Sequence, residues 1–294
     1  MTPFVINEAF LEQVELLQLL VKNNVAGMFG GSHKAKTFGS SCEFSDYRDY
    51  MPGDDITKID WNAFARFEKL YVKLFLDERQ VHTRIYIDGS RSMTFGKSGK
   101  DIQAIKLAAA LAYISICEMD KVSIYVLREG RAEEVVTGML GKDSYYNNIG
   151  KLNEIVFEGD CCITEAILPS TVGYGDGMSV IISDFLTDNN YELAIDHLTA
   201  KKRDILCVQV LTREELKPKA RGKMHFYDSE NSSLFYRRNI NREIVQAYKR
   251  AVEYATGRIR DYCHSRGADY LLVAAEDSLT DILYNKLGEM GVIK

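Results

Sequence analysis

The feature that most limits the fold of this sequence is an alternation, beyond His82, of short β-branched runs with longer stretches of helical periodicity. The strand candidates are residues 84–88, 122–127, 179–183, 205–211 and 270–274. Their apolar residues face both ways, as in strands that are buried on both sides of a parallel sheet. We therefore predict an α/β fold with a doubly wound, mainly parallel sheet and Rossmann-like layering.

Three helices are predicted from apolar spacing. Between the first two strands, apolar residues recur from Ile102 to Ile116, with a second apolar row that predicts a largely buried helix. Another periodic stretch begins near Ile244 and ends at Gly267. Near the N-terminus, one amphipathic helix is predicted from the spacing of Phe10, Val14, Leu17 and Val21.

A segment dense in aromatic and charged residues separates the N-terminal helix from the alternating region. It contains the turn residues 52–55 and a run at 70–75 with strand character. We predict two parts: residues 1–80, an N-terminal helix with a β or irregular lead-in segment, and residues 81–294, the sheet domain.

Composition excludes several classes of function. The formal net charge of −5 gives no general attraction to nucleic acid or to an anionic membrane surface. The longest strongly apolar run, from Leu107 to Cys117, is shorter than the roughly 20 residues of a membrane-spanning helix. Without a signal-peptide pattern, we expect a cytoplasmic protein with reduced thiols and no membrane insertion. Its cysteines are Cys42, Cys117, Cys161, Cys162, Cys207 and Cys263.

Oxygen-bearing side chains follow two of the predicted strands. Asp88, Ser90 and Ser92 lie in the loop after the first strand, and Asp184 follows the strand at 179–183. Thr164 offers a hydroxyl from a loop between them. In doubly wound sheets the functional crevice lies at the carboxyl ends of the strands. Because Mg²⁺ and Mn²⁺ prefer oxygen ligands, these five residues predict a divalent metal site.

Two other interpretations of this loop remain. Asp88 and Ser90 are also typical of residues that cap a following helix. The downstream residues 96–98, Gly-Lys-Ser, resemble the end of a phosphate-binding P-loop. A P-loop needs glycine at position 91, which is Arg91, so the spacing argues against nucleotide binding.

The loop pattern D-x-S-x-S, followed by a later threonine and a later aspartate, resembles the metal-ion-dependent adhesion site of von Willebrand A domains. The resemblance implies that Ser90, Ser92 and Thr164 offer hydroxyl oxygens. It also implies that Asp88 and Asp184 act directly or through water. By this resemblance the domain at 81–294 is von Willebrand A-like, and its function is protein binding.

The lead-in segment resembles the bacterial domain-of-unknown-function family fifty-eight. The resemblance rests on ordered blocks at 43–44, 47–50, 52–55, 59–61, 65–66 and 70–73, together with 88–93. The chain departs from the family pattern at Lys58, where arginine is expected, and at Glu165, where aspartate commonly follows the threonine. Members are often encoded beside MoxR-type AAA+ ATPases, so the resemblance implies such an ATPase, or its client, as the partner.

The charged residues of the lead-in segment allow two interpretations. In the first interpretation, these residues form a buried salt-bridge network that anchors the segment, since buried charges need partners. A partner-binding surface is the other. The residues concerned are Arg48, Asp54, Asp55, Asp60, Trp61 and Arg66.

A metal-dependent interaction module is the function that we predict, and we expect no enzyme activity. The alternatives are a metal-dependent hydrolase and a structural domain without metal. A hydrolase requires a general base or a second metal, yet the five histidines have no metal-ligand spacing and no H-E-x-x-H or G-x-S-x-G motif occurs.

Overall fold

The structure, a computed structural model, describes residues 5–25, 38–76, 81–94, 99–170, 172, 177–186, 191–218, 222–227 and 235–287. The chain forms two compact units, a smaller one within residues 31–80 and a larger one within 1–30 and 81–294. The N-terminal helix, which the sequence groups with the lead-in segment, contributes Phe10, Val14 and Leu17 to the core of the larger unit.

Ten strands and eight α-helices are described. The strands are β1 (Phe38–Asp49), β2 (Tyr71–Leu76), β3 (His82–Asp88), β4 (Lys121–Arg128), β5 (Arg131–Met139), β6 (Met178–Ser183), β7 (Asp204–Leu211), β8 (Gly222–Tyr227), β9 (Phe235–Ile240) and β10 (Asp269–Ala274). The helices are α1 (Glu8–Val25), α2 (Trp61–Phe67), α3 (Lys100–Cys117), α4 (Gly141–Asn148), α5 (Ile163–Ile167), α6 (Glu192–Ala200), α7 (Arg213–Leu216) and α8 (Arg242–Ser265). Among the described residues, no helix has the length and apolar character needed to cross a membrane.

Six strands of the larger unit form one sheet in the order β10-β7-β6-β3-β4-β5. All neighbours are parallel except β4 and β5, which pair antiparallel. The predicted fold class is therefore confirmed, and each of the five predicted strands is present. Sequence reasoning missed β5, a half-exposed edge strand, and the separate antiparallel hairpin of β8 and β9.

Successive residues of the central strands face two different hydrophobic cores. Ile85 and Ile87 of β3 belong to a cluster that includes residues of α1, α3 and α4. Tyr86 belongs to a second cluster that includes residues of α5, α6 and α8. Since side chains alternate across a strand, these clusters cover opposite faces of the sheet. This burial on both faces explains the nearly continuous apolar runs in the sequence.

The strand order reverses between β3 and β6. From β3 the chain proceeds through α3 to β4 on one side, and later returns to place β6 on the other side of β3. In open α/β sheets such a reversal leaves a crevice outside the carboxyl ends of the two strands. The two predicted aspartates, Asp88 and Asp184, lie at this point.

The smaller unit consists of β1 and β2, paired antiparallel, with α2 between them in the chain. Arg48 binds Asp54 through two hydrogen bonds of 2.7 and 2.6 Å. Asp60 caps α2, because its Oδ1 accepts from the backbone N–H groups of Asn62 and Ala63. Local capping and pairing therefore account for the aspartates of this segment.

The remaining Asp60 oxygen, Oδ2, accepts a 2.7 Å hydrogen bond from the Tyr47 hydroxyl and lies 3.2 Å from Nζ of Lys73. Trp61 and Arg66, in contrast, have exposed side chains. The single buried network expected from sequence therefore does not extend to these two residues. Arg66 instead lines an open cavity of about 640 Å³ within this unit.

We predict that Asp60→Ala lowers the unfolding midpoint of the smaller unit, because it removes the cap of α2 and the acceptor for Tyr47. Arg66→Ala should leave the midpoint unchanged, since its side chain is exposed. The fluorescence of Trp61, the one tryptophan of the chain, reports this transition selectively. Asp60→Asn retains one oxygen that can cap α2, so its unfolding midpoint should lie between those of Asp60→Ala and Arg66→Ala.

The Tyr47 hydrogen bond, despite the opposing effect of burial, helps to lower the pKa of Asp60 to about 2 from an ordinary 3.8. The contribution of the charged carboxylate is therefore fully present above pH 3.8 and is lost as the pH falls through 2. An equal loss of stability in Arg66→Ala and Asp60→Ala would contradict this description.

Candidate metal site

Asp88 and Asp184 lie at the carboxyl ends of the adjacent strands β3 and β6. Asp88 is the last residue of β3, and Asp184 follows Ser183, the last residue of β6. The register pairs Ile87 with Ile182, so the next residues, Asp88 and Ser183, are neighbours. The Ser183 hydroxyl donates a 2.5 Å hydrogen bond to Oδ2 of Asp88. Both aspartates are fully buried.

The loop after β3 carries a line of hydroxyls from one aspartate to the other. The backbone N–H of Ser90 donates to Oδ1 of Asp88 at 2.9 Å, which folds the loop into a tight turn. The hydroxyl oxygens of Ser90 and Ser92 lie 3.0 Å apart. Ser92 then donates to Oδ2 of Asp184 at 2.8 Å. Four of the five predicted ligand residues are therefore joined directly by hydrogen bonds.

Gly89 allows this loop to lie close against β4. A Cβ at position 89 would lie 2.5 Å from Cγ1 of Val126 and 2.7 Å from Cγ of Arg128. The backbone N–H of Gly89 also donates to the carbonyl of Leu127 at 3.0 Å. The glycine between Asp88 and Ser90 is therefore required by a close approach of two backbones.

Thr164, the fifth predicted ligand, is buried in α5. The segment that leads into this helix reaches the site at Cys161, whose thiol is hydrogen-bonded to Asp88. Burial, followed by the negative charge of Asp88, raises the pKa of Cys161, so the thiol is neutral and donates. Thr164 therefore lies in a short helix rather than in the predicted loop, and Cys161 brings the segment before this helix to Asp88.

Lys100 and Glu215 extend the site in a way that sequence reasoning missed. The Lys100 side chain is only 1% exposed, and its Nζ lies 2.8 Å from Oδ2 of Asp184 and 2.9 Å from Oε1 of Glu215. Glu215 uses its other oxygen, Oε2, to accept from the backbone N–H of Thr212 at 2.6 Å in the capping box of α7. One buried ammonium therefore connects the ends of β6 and β7.

The buried carboxylates change the acid–base properties of the site. Burial, followed by the negative charge of Asp184, raises the pKa of Asp88, although hydrogen bonds from Ser183 and Ser90 oppose the rise. Burial disfavours the charged form of Lys100, but the charges of Asp184 and Glu215 outweigh it and raise the lysine pKa. Lys100 is therefore a permanent cation beside Asp184 at neutral pH.

The donor set fits a hard divalent cation. Within the described ranges, no three His, Cys, Asp or Glu side chains form a metal-ligand group. The set here is of a different kind, with two carboxylates bridged by two hydroxyls. If all four groups are ionised, Asp88, Asp184, Glu215 and Lys100 together carry a net charge of −2. This charge is opposite and equal in magnitude to that of one Mg²⁺ or Mn²⁺ ion. The side-chain atoms here that have lone pairs for an ion are oxygens, which such ions prefer, whereas the protonated Lys100 ammonium has none.

The sequence model of the family described as "Protein of unknown function DUF58" matches residues 46–257, which include most of both units. The chain belongs to the DUF58 family. Its similar proteins include uncharacterised proteins of Mycobacterium tuberculosis and Mycobacterium bovis, each 25% identical over 222 residues. The matches span 73% of this chain and 69% of each relative.

Two solved structures resemble this DUF58 chain in fold. An aerotolerance-related membrane protein from Bacteroides fragilis, with multiple mutations to serine, is 16% identical with a TM-score of 0.41 over 72% of this chain and 98% of that one. The SpRpn10 VWA domain is 8% identical with a TM-score of 0.39 over 71% and 95%. With scores this low, the function of the DUF58 chain has to be argued from its own residues.

Proposed function

We propose that this DUF58 chain is a metal-dependent protein-interaction module. In this proposal Asp88, Ser90, Ser92 and Asp184, with Thr164 of α5, hold Mg²⁺ or Mn²⁺ directly or through water. A carboxylate of a protein partner then binds at the same site. The observation that carries the proposal is the hydrogen-bonded connection between two buried carboxylates at the reversal of strand order, made by the N–H of Ser90 and the hydroxyls of Ser90 and Ser92.

Two buried carboxylates in one crevice favour a cation between them. Moving a carboxylate out of water is costly unless an opposite charge or hydrogen bonds compensate it. Asp88 has hydrogen-bond donors, but among its described contacts it has no ion pair of its own. A divalent ion would supply the missing positive charge and a Lewis-acidic position for an acidic ligand.

The residues around the site have distinct tasks in this proposal. Ser183 and the N–H of Ser90 orient the Asp88 carboxylate, because each donates to a different oxygen. The N–H of Leu186 does the same for Oδ1 of Asp184. The serine hydroxyls are neutral ligands and supply no negative charge to an ion, and Lys100 offsets part of the charge of Asp184. Such a site favours an incoming Asp or Glu side chain.

A structural domain without metal is the second candidate, and Lys100 favours it. The ammonium already satisfies Oδ2 of Asp184, together with the Ser92 hydroxyl. In that case the hydrogen-bonded cluster would hold the ends of β3, β6 and β7 together and would bind no ion.

Metal-induced stabilisation of the folded chain distinguishes these two candidates. Adding Mn²⁺ at 100 times its dissociation constant should stabilise the folded chain by about 2.7 kcal/mol, measured by denaturation followed by circular dichroism. The Asp88→Asn variant should show no stabilisation by Mn²⁺. In the absence of metal, Asp88→Asn removes a repulsion from Asp184 but also one of the two oxygens that accept from Ser183 and the N–H of Ser90, so the stability of each protein without metal is its own reference.

Asp143→Asn is the matched control, since it makes the same charge change on the exposed surface of α4. It should respond to Mn²⁺ as the wild-type chain does. A wild-type chain with no metal-induced stabilisation would reject the metal site and leave the structural domain.

The second prediction concerns the partner, which family resemblance suggests is a MoxR-type AAA+ ATPase or its client. Capture of a purified MoxR-type ATPase should require Mg²⁺ and should fail in a chelator. The Ser90→Ala, Ser92→Ala double variant should also fail to capture it, while Ser265→Ala, at the exposed end of α8, should not. Undiminished capture in chelator would rule out a metal bridge.

A further inference from the structure

Lys100 is a buried cation in direct contact with an aspartate of the candidate metal site. Its Nζ lies 2.8 Å from Oδ2 of Asp184, the oxygen that also accepts from Ser92. The lysine lies at the start of α3, where the positive end of the helix dipole opposes a cation. The two carboxylates that it contacts, Asp184 and Glu215, therefore hold it there.

We infer that Lys100 is a built-in competitor for the divalent ion, which weakens metal binding and keeps the bound ion open to an acidic ligand. This inference rests on the proposed function, because it concerns the strength and selectivity of the same site. The ammonium withdraws negative charge from Asp184, and it repels a metal ion on the other side of that carboxylate.

Lys100 should affect the binding of an acidic partner group in the opposite direction from the binding of the metal ion. A metal ion that receives less negative charge from Asp184 retains more positive charge of its own. It should therefore attract an additional carboxylate more strongly. Lys100 would thus lower the affinity for the metal and raise the affinity of the loaded site for an acidic group.

Glu215 is a second carboxylate that binds the Lys100 ammonium, so Asp184 is not the sole counter-ion of this lysine. Its Oε2 is held by the N–H of Thr212, which directs Oε1 toward Lys100 at 2.9 Å. The lysine is therefore shared between two carboxylates, and Asp184 is only partly neutralised. A site whose aspartate remains partly charged still binds a divalent ion.

The test measures the dissociation constant of Mn²⁺ by calorimetry in the full chain and in Lys100→Met. We expect Lys100→Met to bind Mn²⁺ at least about tenfold more tightly, because a like charge next to the ion is removed. Lys151→Met has the same change in net charge on an exposed side chain and should bind as the wild type does. Damage to the fold would weaken binding, so tighter binding cannot come from a merely structural role.

A second variant covers the case in which Lys100→Met does not fold, since it leaves Asp184 and Glu215 without a cation. Lys100→Met combined with Glu215→Gln has the same formal charge in the cluster as the wild type, yet no ammonium beside Asp184. It should also bind Mn²⁺ more tightly than the wild type. Acetate, added to the Mn²⁺-loaded proteins as a simple carboxylate, should bind more weakly to both variants.

The outcomes separate the inference from the proposed function. If the wild type binds Mn²⁺ and both Lys100 variants bind equally or more weakly, the inference is overturned and the proposed function stands. If only the variants bind, the inference is supported and the native chain is not a metal-dependent module. If no protein binds Mn²⁺, both are overturned.

Discussion

The electrostatic relation between Asp88 and Asp184 is the constraint on which the rest of this site depends. Two carboxylates are fully buried at the ends of adjacent strands, where charge is costly unless it is compensated. Hydroxyls of Ser90, Ser92 and Ser183 satisfy some of their oxygens, and Lys100 supplies one positive charge. The remaining excess of negative charge is what the proposed divalent cation would compensate.

The fold creates this constraint through its topology. Because the strand order reverses between β3 and β6, the carboxyl ends of these two neighbouring strands lie side by side at the position where open α/β sheets bind their ligands. Apolar clusters on both faces hold the strands in register, so the positions of the two aspartates are set by the core. Flexibility in the surrounding loops is not required to bring them together.

Much of this arrangement was predictable, because strand ends can be recognised from apolar runs. Asp88 and Asp184 each follow such a run, and the parallel fold then places them at one edge. Lys100 and Glu215 were not predicted, since charged residues at helix starts are normally solvated. Two signals were nevertheless present. A lysine in the first turn of α3 opposes the helix dipole, and Thr212 with Glu215 forms the T-x-x-E pattern of a capping box.

The lead-in segment shows a different limit. A buried ion-pair network was one of two interpretations of its charged residues. Asp55 and Asp60 cap helical turns, a role that depends on local backbone geometry, and Asp60 also pairs with Lys73. Composition alone does not distinguish a capping carboxylate from a paired one.

The most direct test of the central claim is the location of Mn²⁺ in crystals of the chain by anomalous scattering. The account predicts one strong peak among the oxygens of Asp88, Ser90, Ser92 and Asp184, with Lys100 still in contact with Glu215. A map at saturating Mn²⁺ with no peak there, and with Lys100 still bridging Asp184 and Glu215, would contradict it.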